Sequence, residues 1–221
     1  MSAPTAVLLD FGGTLDADGV AWKERFFRLF AEEAGAERES FGRAYYGADD
    51  ALVGTVPGDL SFTDTVELLS RGVAGALGRP EAAPGVAQRF LADARRALAV
   101  SRGVLSGLSA RYRLGIVSNF YGNLAAVCRE EGLSPHLCAT VDSVVVGAEK
   151  PDPRIFAAAL AAVGVSPGQA VFVGDSLPRD MAGARGLGIP HVWLRAGPGS
   201  PCCTGDRVIG SLRELPEALL T

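Results

Sequence analysis

Residues 6–15 read AVLLDFGGTL, an apolar run that ends in an aspartate and continues into a glycine-rich turn. The run lacks the alternation of a half-exposed strand, so we expect a strand buried on both faces, as in a parallel sheet. In parallel α/β sheets, ligands bind beyond the carboxyl ends of the strands. Asp10 is therefore the first candidate functional residue, and the turn after it offers backbone N–H groups to an anion.

Four further apolar runs resemble this first strand, and helix-like segments separate several of them. Strand, helix and strand in repeated succession predict an α/β fold, with a Rossmann-like, doubly wound and mainly parallel sheet. The predicted strands cover residues 6–10, 114–118, 143–147, 170–174 and 191–194, and the predicted helices of this core cover residues 123–131, 152–163 and 178–187.

Residues 17–100 contain helical patterns and no convincing strand, which predicts a helical cap inserted into the core. Aromatic and aliphatic residues recur at helical spacing from Trp22 to Phe30, Ser61 begins a capping box with Asp64, and another helix is expected over residues 84–98. The predicted domains are a core of residues 1–16 and 101–221 and a cap of residues 17–100.

Two groups of cap residues allow more than one interpretation. The aromatic residues from Trp22 to Phe30 suit either a substrate pocket or the core, and helical spacing favours the core. The polar group at positions 45–50 (YYGADD) suits either a substrate-reading patch or a solvated turn, and we favour the turn.

Composition excludes several function classes. A net charge of −4 gives no basic field for nucleic acid. The four cysteines match neither a zinc pattern nor a secreted disulfide framework, and no run is long enough for a membrane span. No signal peptide is evident either. We expect a cytoplasmic monomer or homodimer that acts on a small molecule.

Polar residues follow four predicted elements at points where they would meet at one edge of the sheet. Each alone has an ordinary structural role: a turn aspartate, a helix N-cap, a solvated lysine or an acid at a helix start. Together they suit phosphoryl transfer, in which a carboxylate attacks phosphorus while a divalent metal and a cation offset the repulsion between anions. The four sites are Asp10, the pair Ser118 and Asn119, Lys150 in GAEKPDP, and the pair Asp175 and Asp180 in GDSLPRD.

These four segments, in this order, resemble the four signatures of the haloacid dehalogenase-like (HAD) superfamily, and they span residues 6 to about 195. The resemblance implies a phosphatase that forms an aspartyl-phosphate on a small phosphorylated metabolite, with a mobile cap over the site. It also implies a cofactor and a role for each site residue: Asp10 as nucleophile; Mg²⁺ on Asp10, Asp175 and the Gly12 carbonyl; Lys150 as a catalytic and phosphate-binding residue; Ser118, Asn119 and Gly13 as phosphate ligands; and Asp180 as a support for Lys150 or a metal-bound water.

The sequence departs from the family pattern at Gly12, where phosphatases of the family usually carry a second aspartate that protonates the leaving group. Loss of such help typically costs ~10²- to 10⁴-fold in rate. The protein then acts on leaving groups that need little protonation, takes a proton from Asp16, Asp18 or a cap residue, or is a weakly active or non-catalytic relative. A further alternative is another reaction of the superfamily.

Two branches that cleave other bonds also lack this second aspartate. The dehalogenase branch typically has an aromatic residue there and does not depend on Mg²⁺, whereas GDSLPRD retains the acid pair. The phosphonate-cleaving branch has a small residue there and needs a cap lysine, for which Lys23 is the available lysine. A Mg²⁺-dependent phosphatase is the interpretation that we favour.

Overall fold

The computed structural model describes residues 4–197 and 207–220, and within them six parallel strands form one sheet in the order β3-β2-β1-β4-β5-β6. The first strand lies in the middle, and the chain winds outward from it in both directions, which confirms the predicted doubly wound α/β core. The strands are β1 (Ala6–Leu9), β2 (Arg113–Ser118), β3 (Ala139–Asp142), β4 (Ala170–Gly174), β5 (His191–Leu194) and β6 (Arg207–Ile209).

Helices cover both faces of the sheet and form the segment between β1 and β2. A π-helical turn, Leu177–Met181, precedes α8. The described helices are α1 (Trp22–Ala34), α2 (Arg38–Leu52), α3 (Phe62–Ala76), α4 (Ala83–Ser109), α5 (Leu124–Glu130), α6 (Ser143–Val146), α7 (Pro153–Val163), α8 (Ala182–Gly186) and α9 (Leu215–Ala218).

Strand β1 explains why the apolar run at residues 6–9 is continuous. Val7 and Leu9 pack into a hydrophobic cluster shared with α1, α3 and α4, while Ala6 and Leu8 pack into a second cluster against α7 and α8 on the other face. All four side chains are fully buried. The strand is therefore held from both sides, and it delivers Asp10 to the carboxyl edge in a fixed position.

The strand predicted at residues 143–147 is wrong. The segment forms the short helix α6, and β3 precedes it at residues 139–142. The Asp142 side chain caps α6 by accepting a hydrogen bond from the Val144 N–H, and Gly147 ends it in the left-handed conformation at φ 71°. Val145 is 75 % exposed, so the run is not buried on both faces as the strand prediction requires.

Helices α1, α2, α3 and most of α4 lie within residues 17–100, and this segment contains no strand. Ser61 caps α3 by accepting a hydrogen bond from the Asp64 N–H, as its spacing predicts. Helix α4 is longer than the predicted residues 84–98 and runs through residue 100, so the domain boundary there stays a prediction. The turn favoured at residues 45–50 is wrong, because these residues lie within α2.

The described helices include none that is both long and apolar enough to cross a bilayer. Cys128 and Cys138 are free thiols, while Cys202 and Cys203 lie outside the described residues.

The packing of α8 gives a test of the fold. A Cβ on Gly183 would lie 2.3 Å from Cε2 of the buried Phe156 ring, whereas a Cβ on Gly186 would meet nothing within 4 Å. We expect Gly183→Ala to lower the free energy of unfolding in urea by ~1–3 kcal/mol because the core is overpacked. Gly186→Ala, the control, should leave it unchanged or raise it by up to ~1 kcal/mol. Equal stability of the two variants would contradict this packing.

Candidate active site

The carboxyl ends of the central strands bring the predicted site residues together around Asp10. Asp10 follows β1, Ser118 ends β2 and Asp175 follows β4, while Lys150 comes from the loop between α6 and α7. Asp10 Oδ1 accepts hydrogen bonds from Ser118 Oγ at 2.9 Å and from Lys150 Nζ at 2.6 Å. Lys150 Nζ also lies 2.7 Å from Asp180 Oδ1. One ammonium therefore links two carboxylates at the edge of the sheet.

Lys150 is buried, with 4 % of its surface exposed. Burial disfavours its charge, but the carboxylates of Asp10 and Asp180 outweigh this effect and raise the pKa of Lys150 above its ordinary value. The Asn119 side chain fixes the backbone of this lysine: its amide donates to the Lys150 carbonyl at 3.1 Å and its oxygen accepts from the Lys150 N–H at 2.7 Å. Asn119 thus positions Lys150, and its predicted contact with phosphate stays a prediction.

The second oxygen of Asp10 is weakly held. Thr14 Oγ1 lies 3.4 Å from both Asp10 Oδ2 and Asp175 Oδ1, and its single proton cannot satisfy both acceptors. The Trp193 indole donates to the Asp175 carbonyl at 2.9 Å and so fixes the backbone of Asp175. Two carboxylate oxygens therefore face the same small space with one shared hydroxyl as donor.

Gly13 permits this close approach. Its φ of +95° is accessible mainly to glycine, and a Cβ there would lie 2.6 Å from Asp175 Oδ2. The Gly13 N–H donates to Asp16 Oδ1 at 2.7 Å, so its predicted role as a phosphate donor requires this bond to open. The glycine has a structural role in the site in addition to the role predicted for it.

The site carries more negative than positive charge. Asp10, Asp175 and Asp180 each offer a carboxylate oxygen, and these atoms lie within 4.8 Å of one another. With all three carboxylates ionised, the single ammonium of Lys150 would leave two formal negative charges, a surplus that favours retention of a proton on Asp175. Burial, followed by the charges of Asp10 and Asp180, raises the pKa of Asp175 to about 8.

Such a set fits Mg²⁺, which prefers carboxylate and carbonyl oxygens and would offset the excess charge. Asp10 and Asp175 are the best-placed ligands, with the Gly12 carbonyl expected from the family pattern. Asp180 is committed elsewhere: it pairs with Lys150 and accepts from the Ser176 N–H at 3.0 Å.

The space beside Gly12 is partly filled by an indole ring. A Cβ at position 12 would lie 3.3 Å from Trp22 Nε1, which itself donates to Asp16 Oδ2 at 2.6 Å. Arg25 Nη1 pairs with the same oxygen at 2.8 Å. Asp16 is fully buried, and burial raises its pKa although Arg25 acts in the opposite direction. Asp16 thus belongs to a structural network under the turn.

A cavity of about 600 Å³ opens above Asp10, between the edge of the sheet and helices α1 and α2. Ser118, Lys150 and Asp180 line it on the side of the sheet. Helices α1 and α2 contribute mainly polar and aromatic residues: Trp22, Lys23, Tyr45, Tyr46, Asp49 and Asp50. Residues of α2 therefore line the cavity, and a substrate-reading role for residues 45–50 stays a prediction.

The family model for haloacid dehalogenase-like hydrolases matches residues 4–188. The chain belongs to this family. It is 37 % identical over 153 residues to a phosphoserine phosphatase from Thermus thermophilus, which covers 64 % of this chain and 60 % of that protein's length. It is 38 % identical over 169 residues to a phosphoglycolate phosphatase from Caulobacter vibrioides, covering 70 % of each chain.

Solved structures agree with the fold of this HAD-like hydrolase. A HAD phosphatase from Thermococcus onnurineus superposes with a TM-score of 0.61 at 24 % identity, over 97 % of each chain. At this identity the likeness shows the fold alone. Family, fold and phosphatase-named relatives together support a hydrolase.

Sequence reasoning missed several residues of this HAD-like site. Thr14 lies in the DFGGTL turn, four residues after Asp10, so a hydroxyl this close to the predicted nucleophile could have been identified from the sequence. Tyr121, whose hydroxyl donates to Asp49 at 2.5 Å, gave none, because the contact joins α2 to the loop after β2 across 72 residues. Trp22 packs in the hydrophobic core and also lines the cavity, while its contact with a substrate stays a prediction.

The pKa of Asp175 predicts a pH effect on stability in the metal-free protein. The folded state keeps a proton up to about pH 8 that the unfolded chain, with an ordinary pKa of 3.8, releases. The stability from this proton is complete below the lower pKa and is lost as the pH rises to about 8. We expect the free energy of unfolding in urea, measured between pH 5 and about 8.5, to fall more steeply with rising pH for the wild type than for Asp175→Asn, whose amide cannot titrate. Parallel curves would contradict the assignment.

Proposed function

We propose that this protein is a Mg²⁺-dependent phosphatase that hydrolyses small phosphate monoesters through an aspartyl-phosphate on Asp10. The observation that carries the proposal is the ion pair between Lys150 Nζ and Asp10 Oδ1 at 2.6 Å, beside a second carboxylate, Asp175. Asp10 Oδ2, whose hydrogen bond from Thr14 Oγ1 is long at 3.4 Å, is then the oxygen that attacks phosphorus. A buried carboxylate next to a cation suits an anionic electrophile, which an isolated carboxylate would repel.

The chain's own residues have distinct tasks in this reaction. Lys150 and Ser118 hold Asp10 through Oδ1, and the third N–H of the Lys150 ammonium, which also pairs with Asp180, remains to be donated to a phosphoryl oxygen. Asp180 orients Lys150 and keeps it charged. Asp10 and Asp175 would hold Mg²⁺, which when bound neutralises charge as the phosphate approaches. The cap limits the access of water to the site.

We infer the substrate class from the cavity and the relatives. A volume of about 600 Å³ is in the range of small-molecule sites. The two relatives described above are named for phosphoserine and phosphoglycolate, which are both small anionic phosphate monoesters. These two compounds are the first substrates to assay here.

Asp10→Asn tests the proposed nucleophile. An amide cannot form the acyl phosphate, so we expect hydrolysis of phosphate monoesters to fall by about 10³-fold or more. When the reaction with a phosphate monoester is quenched in acid, intact-mass spectrometry should show one added phosphoryl group on the wild type and none on the variant. Asp59→Asn, an exposed acid-to-amide change, is the control and should behave as wild type.

Substrate and metal panels separate the alternatives. Phosphatase activity should require Mg²⁺ and vanish with a chelator. Turnover of a 2-haloalkanoate or a phosphonate, with none of any phosphate monoester, would show another reaction of the family. Phosphate binding without turnover would show a non-catalytic relative.

A further inference from the structure

Gly12 stands where phosphatases of the family usually carry the aspartate that protonates the leaving group. Two nearby acids, Asp16 and Asp18, cannot take over this task. Asp16 accepts from the Gly13 N–H, Trp22 Nε1 and Arg25 Nη1, so both of its oxygens are occupied. Asp18 Oδ1 accepts from the Leu212 N–H at 2.5 Å and ties the turn to the C-terminal segment. Both acids therefore serve the structure of the turn.

The cavity offers three more carboxyl groups that neither pair with Lys150 nor belong to the proposed metal ligands: Asp49, Asp50 and Glu149. Asp50 and Glu149 are exposed, whereas Asp49 is half-buried. The Tyr121 hydroxyl donates to Asp49 Oδ1 at 2.5 Å, which orients the carboxyl group and leaves Oδ2 to carry a proton.

The surroundings of Asp49 favour its protonated form. Burial raises its pKa, and the negative charge of Asp50 acts in the same direction, while the Tyr121 hydrogen bond and the Arg179 guanidinium lower it. The net effect is a raised pKa, as a proton donor at moderate pH requires. Tyr121 lies on the loop after β2, whereas Asp49 lies on α2. The core and the cap together would therefore hold Asp49, the proton donor.

We propose that Asp49, held by Tyr121, is the general acid and base of the reaction, in place of the side chain that Gly12 lacks. This assignment rests on the proposed phosphatase function. Asp49 shares the cavity with Asp10 and Gly12 but is supplied by α2, so acid catalysis requires the cap to be in place over the site.

The proton balance is simple. As Asp10 Oδ2 forms a bond to phosphorus, the bond from phosphorus to the leaving oxygen breaks, and that oxygen takes the Asp49 proton to become an alcohol. The Asp49 carboxylate then removes a proton from water as the water oxygen attacks the phosphorus. The acyl phosphate bond then breaks. Asp10 is again a carboxylate, Asp49 is again protonated, and inorganic phosphate is released.

Asp49→Asn, assayed with two substrates, tests this role. An alkyl phosphate has a leaving oxygen that needs a proton, so its turnover should fall by ~10²- to 10⁴-fold. The leaving group of p-nitrophenyl phosphate is stable as an anion, and its rate of aspartyl-phosphate formation, measured as the single-turnover burst, should fall much less. Tyr121→Phe, which frees the carboxyl group, should show the same pattern with a smaller loss. A misfolded variant would lose both reactions equally.

Glu39→Gln is the matched control, because it makes the same acid-to-amide change on α2 at an exposed position outside the cavity. It should retain wild-type rates with both substrates. In an Asp49→Asn variant whose urea unfolding curve matches the wild type, equal losses for the two substrates, or no loss, would overturn the role of Asp49 while leaving the phosphatase function intact. A wild-type protein that hydrolyses neither substrate would overturn the phosphatase function and this role with it.

Discussion

The structure depends on one buried ammonium placed between two carboxylates. Lys150 Nζ contacts Asp10 at 2.6 Å and Asp180 at 2.7 Å, and all three side chains are buried. Each of these charges alone would be costly to bury, so the removal of one partner would leave the others uncompensated. Asn119 and Ser118 complete the arrangement through the Lys150 backbone and Asp10 Oδ1.

The central strand makes this cluster possible. Because β1 lies between β2 and β4, residues distant in the chain share one edge: Asp10, Ser118 and Asp175 come from three adjacent strands. The turn at Gly13 then lets Asp175 approach more closely than any side chain at that position would allow. A surplus of negative charge results, which suits a divalent cation and an anionic substrate together.

Much of this was readable from the sequence because strong local signals coincide with the topology. The apolar run before Asp10 predicts a buried central strand, and the polar residues after the strands predict a common edge. The strand predicted at 143–147 was wrong because Asp142 and Gly147 cap a short helix there, although valine favours strands. The position of Asp49 depends on how α2 packs over the core, and local sequence does not encode such a long-range contact.

The number of protons released when Mg²⁺ binds tests most directly whether the crowded carboxylates of this site form one metal site. Mg²⁺ is titrated into the metal-free protein at pH 7 by calorimetry in two buffers of different ionisation enthalpy. Binding should release about one proton, because Asp175, with a pKa of about 8, must lose its proton to become a ligand. Mg²⁺ binding without proton release, or no binding at all, would contradict the view that these carboxylates form one metal site.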